Sequence, residues 1–257
     1  MNLKDRLNKH ENTKGSWITI GSPSVAEIMT QAGFDWLVVD MEHSAISLKQ
    51  AQDLIRTIEL GGTTPLVRVG HNDPNLIKRV MDAGSHGVVV PMINSKAEAE
   101  QAVASVKYPP KGFRGVGLAR AQQYGADFEN YRKWNQDNSI VIVQIEHIKA
   151  VENLEEILDV PEVDGFIIGP YDLSGSLGVP GQFDHPEVIK ALQKVKTIAR
   201  EKNALSGFHV IQPDPVQVLE KEKEGYKFIA VSLDILYLGN SCRQTLKMCR
   251  SNGGGNA

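Results

Sequence analysis

The chain has 257 residues, 41% of them apolar and 23% charged, and carries a formal net charge of −3. That balance gives nucleic acid or an anionic membrane no electrostatic hold, and no run approaches the roughly 18 apolar residues of a membrane span. Cys242 and Cys249 make neither a disulfide framework nor a metal cage, and the polar start Met1–Leu7 lacks the apolar stretch of a signal peptide, so a reducing cytoplasm is the expected setting.

Eight short apolar runs recur along the chain: Trp17–Ile20, Trp36–Asp40, Pro65–Val69, Gly87–Pro91, Ile140–Glu146, Gly165–Gly169, Leu205–Val210 and Phe228–Ser232. Most are rich in Val and Ile and show no alternation, the pattern of parallel strands buried on both faces. Segments between them carry apolar residues at helical spacing, as in Leu48, Ala51, Leu54, Ile55 and Ile58. Ser47 and Ser95 read as helix N-caps, and Gly33, Gly61 and Gly84 as helix stops. Strand–helix alternation without a composition break predicts one α/β domain over 1–250, a (β/α)8 TIM barrel, which typically takes about 250 residues. Residues 251–257 are expected to form a disordered tail. One connection is long: between Val90 and Ile140 the pattern predicts a helix Lys96–Val106, a loop Tyr108–Gly117 and a helix Asp127–Asn138. Such an insertion serves as a lid, a substrate loop or an oligomer contact. Leu177–Pro186 is a second candidate mobile loop.

In such a barrel the carboxyl ends of the strands converge on one mouth, where the chemistry sits. Residues from four strand ends meet there. Asp40, Glu42 and His43 follow the second strand, and Arg68 lies inside the third. Gln144 and Glu146 end the fifth, and Gly169-Pro-Tyr-Asp172 follows the sixth. Glu146 and Asp172 suit a hard divalent cation; an acid/base pair and helix N-capping are the other readings. Gln144 shares a strand face with Glu146. Arg68, a guanidinium in an apolar strand, either forms an internal salt bridge to Asp40 or Glu42, or clamps a substrate carboxylate or developing oxyanion. His43, beside two acids, reads as a general base. His209, near the end of the seventh strand, is a further candidate to face the mouth. Gly112-Phe-Arg-Gly-Val-Gly117 is only loosely like a phosphate loop and is read as a loop near the mouth that positions Arg114 or Arg120; nucleotide binding is not expected.

The motifs Phe34-Asp-Trp-Leu-Val-Val-Asp-Met-Glu-His43, Val67-Arg-Val69, Val80-Met-Asp-Ala-Gly84, Arg114-Gly-Val-Gly117, Ala119-Arg-Ala121, Gln144-Ile-Glu146 and Gly169-Pro-Tyr-Asp-Leu-Ser174 together give a resemblance across nearly the whole chain. The chain resembles the class II pyruvate aldolases that include 4-hydroxy-2-oxoheptanedioate aldolase and 2-dehydro-3-deoxyglucarate aldolase. The resemblance implies a lyase that cleaves a 4-hydroxy-2-oxo acid to pyruvate and an aldehyde through a metal-bound pyruvate enolate. It implies Glu146 and Asp172 as ligands of Mg2+ or Mn2+, with Co2+ a further candidate. Arg68 then stabilises the enolate oxygen and His43 moves the proton. Asp82 reaches that His from a neighbouring subunit. Gln144 contacts pyruvate, and the turn Gly169, Pro170, Tyr171, Asp172 offers amides to its carboxylate. The implied assembly is a dimer-based hexamer in which the last helix swaps between subunits. Tyr171, His147 and His209 stand where the family commonly has Ala, Ser or Thr, and an apolar residue; these positions bear on the acceptor aldehyde.

Two other readings compete. A citryl- or malyl-thioester lyase on the same barrel needs a groove for coenzyme A, and a catalytically silent scaffold predicts no metal dependence. Schiff-base chemistry needs a Lys at the mouth, and no strand end supplies one; pyridoxal phosphate is likewise not expected.

Overall fold

The computed structural model describes residues 2–252. Eight parallel strands close into a barrel in chain order. They are β1 Thr13–Ile18, β2 Trp36–Asp40, β3 Thr64–Arg68, β4 Gly87–Val90, β5 Ile140–Ile145, β6 Gly165–Ile168, β7 Ser206–Val210 and β8 Phe228–Leu233. The seam closes where β1 pairs with β8, through Thr13 opposite Phe228 and Trp17 opposite Leu233. A helix follows every strand, as the alternation predicts. Among the described residues no helix is long and apolar enough to cross a membrane.

Alternation along the strands sorts the apolar residues into two cores. Odd positions of β2, Leu37 and Val39, face the helix layer together with Ala51, Leu54, Ile55 and Ile58. Even positions, Trp36 and Val38, face inward with Leu66, Val89, Ile142, Ile167 and Phe228. The helix Leu3–Asn8 closes the floor by adding Leu3 and Leu7 to that inner core. Trp36 stacks on Phe228 at 3.9 Å between ring centroids. That stack demands Gly15, where a Cβ would lie 2.0 Å from the Trp36 ring.

Local signals mostly hold. Ser47 and Ser95 cap the helices Leu48–Leu60 and Lys96–Val106. The left-handed residue after Leu60 is Gly62, at φ 79°, rather than Gly61 at −75°. The first strand occupies Thr13–Ile18 rather than Trp17–Ile20. Lys14, Gly15 and Ser16 interrupt the apolar run, yet Gly15 pairs with both Trp36 and Ala230. The last helix, Asp234–Asn252, extends two residues into the stretch expected as a tail, and 253–257 lie outside the described residues.

The long connection after β4 contains the helix Lys96–Val106, a 3-10 segment Arg120–Gly125 and the helix Phe128–Asn138. It corrects one expectation, because its loop does not approach the mouth. Arg114 is fully buried, 4.6 Å over the Tyr108 ring and donating to Tyr131 Oη at 3.0 Å. Its other partner is Asp82 Oδ1, at 2.5 Å. Asp82 ends the helix Pro74–Asp82, which starts at the mouth and returns toward the floor. Arg120 pairs with Glu59 and donates to Ala83 O at 3.1 Å at the same far end. A cationic side chain sinking between two tyrosines pulls this loop onto the barrel's outer wall.

Candidate active site

The inward parity that makes the floor apolar turns polar near the mouth. Two residues past Val38 comes Asp40, and two past Leu66 comes Arg68, directly opposite Asp40 in the register. Two past Ile142 comes Gln144, followed by Glu146, and two past Ile167 comes Gly169. The sheet therefore aims one acid, one guanidinium, one amide and another acid at a single cleft.

Arg68 is held rigidly. Its Nε and Nη2 donate to the two Asp40 oxygens at 2.9 and 2.6 Å, and Nη1 faces Gln144 Oε1 at 3.5 Å. Its guanidinium lies 4.4 Å over the Trp17 ring. The internal salt bridge is thus real, and it leaves one edge of the cation turned toward Gln144 and the cleft. Burial alone would push the Asp40 carboxyl up, but Arg68 and the N–H groups of His43 and Glu42 hold it below its ordinary value.

Three further carboxylates share the cleft. Glu146 is buried; Met92 N–H donates to its Oε1 at 2.7 Å and the Gln144 amide to its Oε2. Burial raises its pKa to about 7 against those two donors, and Glu42 and Asp172 add to the rise. Glu42 is also raised to about 7, by burial first, with Asp40 and Asp172 adding and Arg68 opposing. Its Oε2 sits 3.3 Å from Arg68 Nε, yet no hydrogen bond satisfies it. Asp172 lies in the first turn of the helix Pro170–Ser176 and is exposed to the cleft side. Gly169 allows this crowding: a Cβ there would stand 2.8 Å from Glu146 Oε2.

These groups are short of positive charge, and their donors are all oxygens, the chemistry of a hard divalent cation. Among the described residues no three His, Cys, Asp or Glu side chains enclose a metal by themselves. Two carboxylates with the remaining positions left to water and substrate fit a Mg2+-type ion, which keeps several waters.

His43 lies at the rim, largely exposed, with Nε2 3.7 Å from Glu42 Oε2. Tyr171 is exposed and packs edge-on against Phe183 of the loop after it, at 4.8 Å. His147 does not enter the cleft's chemistry; its Nδ1 accepts from Lys149 N–H at 3.1 Å and caps the helix Ile148–Glu152. Asp82 is not brought to its own barrel's mouth, since its helix carries it to the other end.

The structure also fixes residues whose place pattern reading left open, and it puts His209 at the mouth as that reading expected. Glu42 is one, read in the sequence as part of an acid–acid–His run and as an alternative partner of Arg68. Trp17 lies under Arg68 near the end of β1, and taking it as the strand's first residue hid that position. His209 lines the cleft with Trp17, Ile211 and Leu233, and its Nε2 donates to Ser232 O at 3.3 Å. Burial lowers its pKa to about 4, with Ser232 O pulling the other way and Arg68 adding to the fall. The cleft measures about 330 Å3; a larger cavity, about 670 Å3 around Glu59, His86 and Trp134, is at the opposite end of the strands and holds none of these groups.

The His209 shift has a measurable sign. The folded ring stays neutral, while in the unfolded chain it takes up a proton below its ordinary value of 6.5. Stability attached to this residue is complete above that pH and falls as pH drops toward 4. Between pH 7 and 5 the loss is about 2 kcal/mol. Guanidinium denaturation of wild type and His209→Gln at both pH values reads it, with the wild type losing more by that amount. Equal losses in the two proteins contradict it.

Comparison with known proteins agrees with this geometry. The profile of the HpcH/HpaI aldolase/citrate lyase family matches residues 14–240. A 2-keto-3-deoxy-L-rhamnonate aldolase of Escherichia coli (strain K12) is 35% identical over 255 residues, covering 98% of this chain and 94% of the relative. Among solved structures, an HpcH/HpaI aldolase/citrate lyase family protein from Burkholderia cenocepacia J2315 superposes with a TM-score of 0.91 at 34% identity, over 96% of this chain and 98% of that one. An HpcH/HpaI aldolase from Desulfitobacterium hafniense DCB-2 gives 0.91 at 30% identity over the full length of both. The chain belongs to the HpcH/HpaI aldolase/citrate lyase family of carbon–carbon lyases.

Proposed function

We propose that this chain is a divalent-metal-dependent aldolase that reversibly cleaves a 4-hydroxy-2-oxo acid to pyruvate and an aldehyde. The observation that carries the reading is the meeting of a fixed guanidinium, Arg68, with Glu42, Glu146 and Asp172 in one small cleft. Glu146 and Asp172 would hold the cation, Mg2+ or Mn2+ with Co2+ a further candidate. When bound, it supplies Lewis acidity at the 2-oxo group.

The protein's own groups do the rest. The free edge of Arg68 places positive charge where the enolate oxygen develops, and Asp40 keeps it there. Gln144, held between Arg68 and Glu146, positions the oxo acid. The N–H groups of Tyr171 and Asp172, in a first helical turn after Pro170, have no intrahelical acceptor and suit the substrate carboxylate. His43 at the rim takes the proton from the C4 hydroxyl during cleavage and returns one to the enolate carbon, through an ordered water.

Self-association belongs to the same reading. Phe113, Leu118 and Tyr124 of the long connection, and Leu238, Leu246 and Met248 of the last helix, are exposed apolar side chains. They suit contacts in a homo-oligomer, with a dimer-based hexamer and a swapped last helix as the expected arrangement. Asp82 would there meet His43 of a neighbouring copy.

Pyruvate release from a panel of 4-hydroxy-2-oxo acids, with and without EDTA, tests the function. Release is expected with metal and not with chelator. No release from any acid, or release indifferent to chelation, overturns the reading.

A further inference from the structure

The groups assigned to the 2-oxo acid come from β2, β3, β5 and the turn after β6, so the aldehyde half of the substrate must lie against the remaining wall. That wall is built by β1, β7 and β8, from Trp17, His209, Ile211 and Leu233. Three of these present apolar surface. His209 is the polar group among them, and its hydrogen bonding sets which atom it presents. Nε2 faces the carbonyl oxygen of Ser232 at 3.3 Å, and a carbonyl only accepts, so Nε2 carries the proton. A neutral imidazole has one N–H, which leaves Nδ1 as a bare acceptor. No protein group among the described residues donates to it. The ring cannot swivel freely, because it packs at 5.5 Å against Trp17, itself pinned beneath Arg68.

We infer that His209 is a specificity-determining residue whose Nδ1 accepts a hydrogen bond from a hydroxyl on the aldehyde portion, selecting hydroxyaldehydes over their hydroxyl-free counterparts. The inference rests on the aldolase reading above. A ring that stays neutral across the physiological range is suited to this: it neither repels the neighbouring Arg68 nor changes its acceptor with pH. An aldehyde without the hydroxyl leaves Nδ1 dry and unpaired, and a stranded polar group of this kind costs about 1–3 kcal/mol, or about 5- to 150-fold in kcat/KM.

The test runs the reaction in the condensing direction, with pyruvate and Mn2+ and two matched acceptors, glycolaldehyde and acetaldehyde. Wild type is expected to favour glycolaldehyde by at least about tenfold in kcat/KM, after correction for each aldehyde's hydrated fraction. His209→Leu is expected to bring that ratio to within about threefold of unity. His209→Gln keeps a donor for Ser232 O and a carbonyl acceptor, and should retain most of the preference. A purely structural loss lowers both rates together and leaves the ratio unmoved. An unmoved ratio in His209→Leu, or no preference in wild type, overturns the inference. Exchange of the pyruvate methyl protons with deuterated water, followed by NMR on wild type without any aldehyde, separates the two levels. Exchange with an unmoved ratio sinks the His209 role alone, whereas no exchange sinks the aldolase reading and this inference with it.

Discussion

Arg68→Ala is expected to lower kcat/KM for pyruvate release by about 10²- to 10³-fold, the loss seen when one fixed donor to a developing oxyanion is removed. The same substitution strikes the fold. Asp40 is 2% exposed and takes both of its strong donors from Arg68. Leaving that carboxylate buried and unpaired costs about 3–5 kcal/mol. Activity and stability should therefore fall together, and the pair is separated by Arg68→Lys. The ammonium restores a charge beside Asp40 but cannot donate to both of its oxygens while turning an edge to Gln144. Its urea midpoint should recover most of the loss, with turnover still at least about tenfold down. Wild-type turnover in a folded Arg68→Ala protein would remove Arg68 from the chemistry.

Glu146→Gln is expected to abolish turnover, by at least about 10³-fold, and to erase the protein's response to metal. The isosteric amide still offers an oxygen to Met92 N–H, which stands at 2.7 Å in the parent, and gives up only the bond that the Gln144 amide donates to Oε2, so the backbone of the strand end keeps its anchor. What disappears is one of two carboxylates assigned to the cation. In wild type, Mn2+ at about 100 times its dissociation constant adds about 2.7 kcal/mol to unfolding by mass action. In the variant, thermal melts with and without Mn2+ should coincide. A melt that still shifts, or turnover that persists, would strike Glu146 from the ligand set.

Much of this site was legible in the sequence because barrel strands carry their chemistry at fixed places. Arg68 in an apolar run, and Glu146 two residues beyond Gln144, announce themselves by charge where only Val and Ile are otherwise tolerated. Glu42 was harder, because an acid after a strand looks the same whether it caps, pairs or sits unsatisfied; its orphaned Oε2 appears only in three dimensions. Trp17 was misplaced because β1 contains Lys14, Gly15 and Ser16, whose polarity hides a paired strand. The direction of the long connection was not legible either. A Gly-rich loop carries no record of which wall it lies on until Arg114 finds Tyr108 and Tyr131. Asp82 shows the limit of reading one chain: its helix runs away from the mouth of its own barrel.

The seam between β1 and β8 has a further consequence. It joins residues more than 200 positions apart, as where the Asp234 carboxylate accepts from Thr19 N–H at 2.9 Å. On the proposed assignment, the oxo-acid half of the cleft comes from the middle of the chain, while the aldehyde wall comes from its first strand and its last two. A nascent polypeptide that has not yet released β8 from the ribosome already owns Arg68, Gln144, Glu146 and Asp172 but cannot close the wall that Trp17 and His209 share with Leu233. On the same assignment, exchanging β7 and β8 with a relative's is expected to move aldehyde choice, through His209, Ile211 and Leu233, and to leave the carbon–carbon chemistry in place.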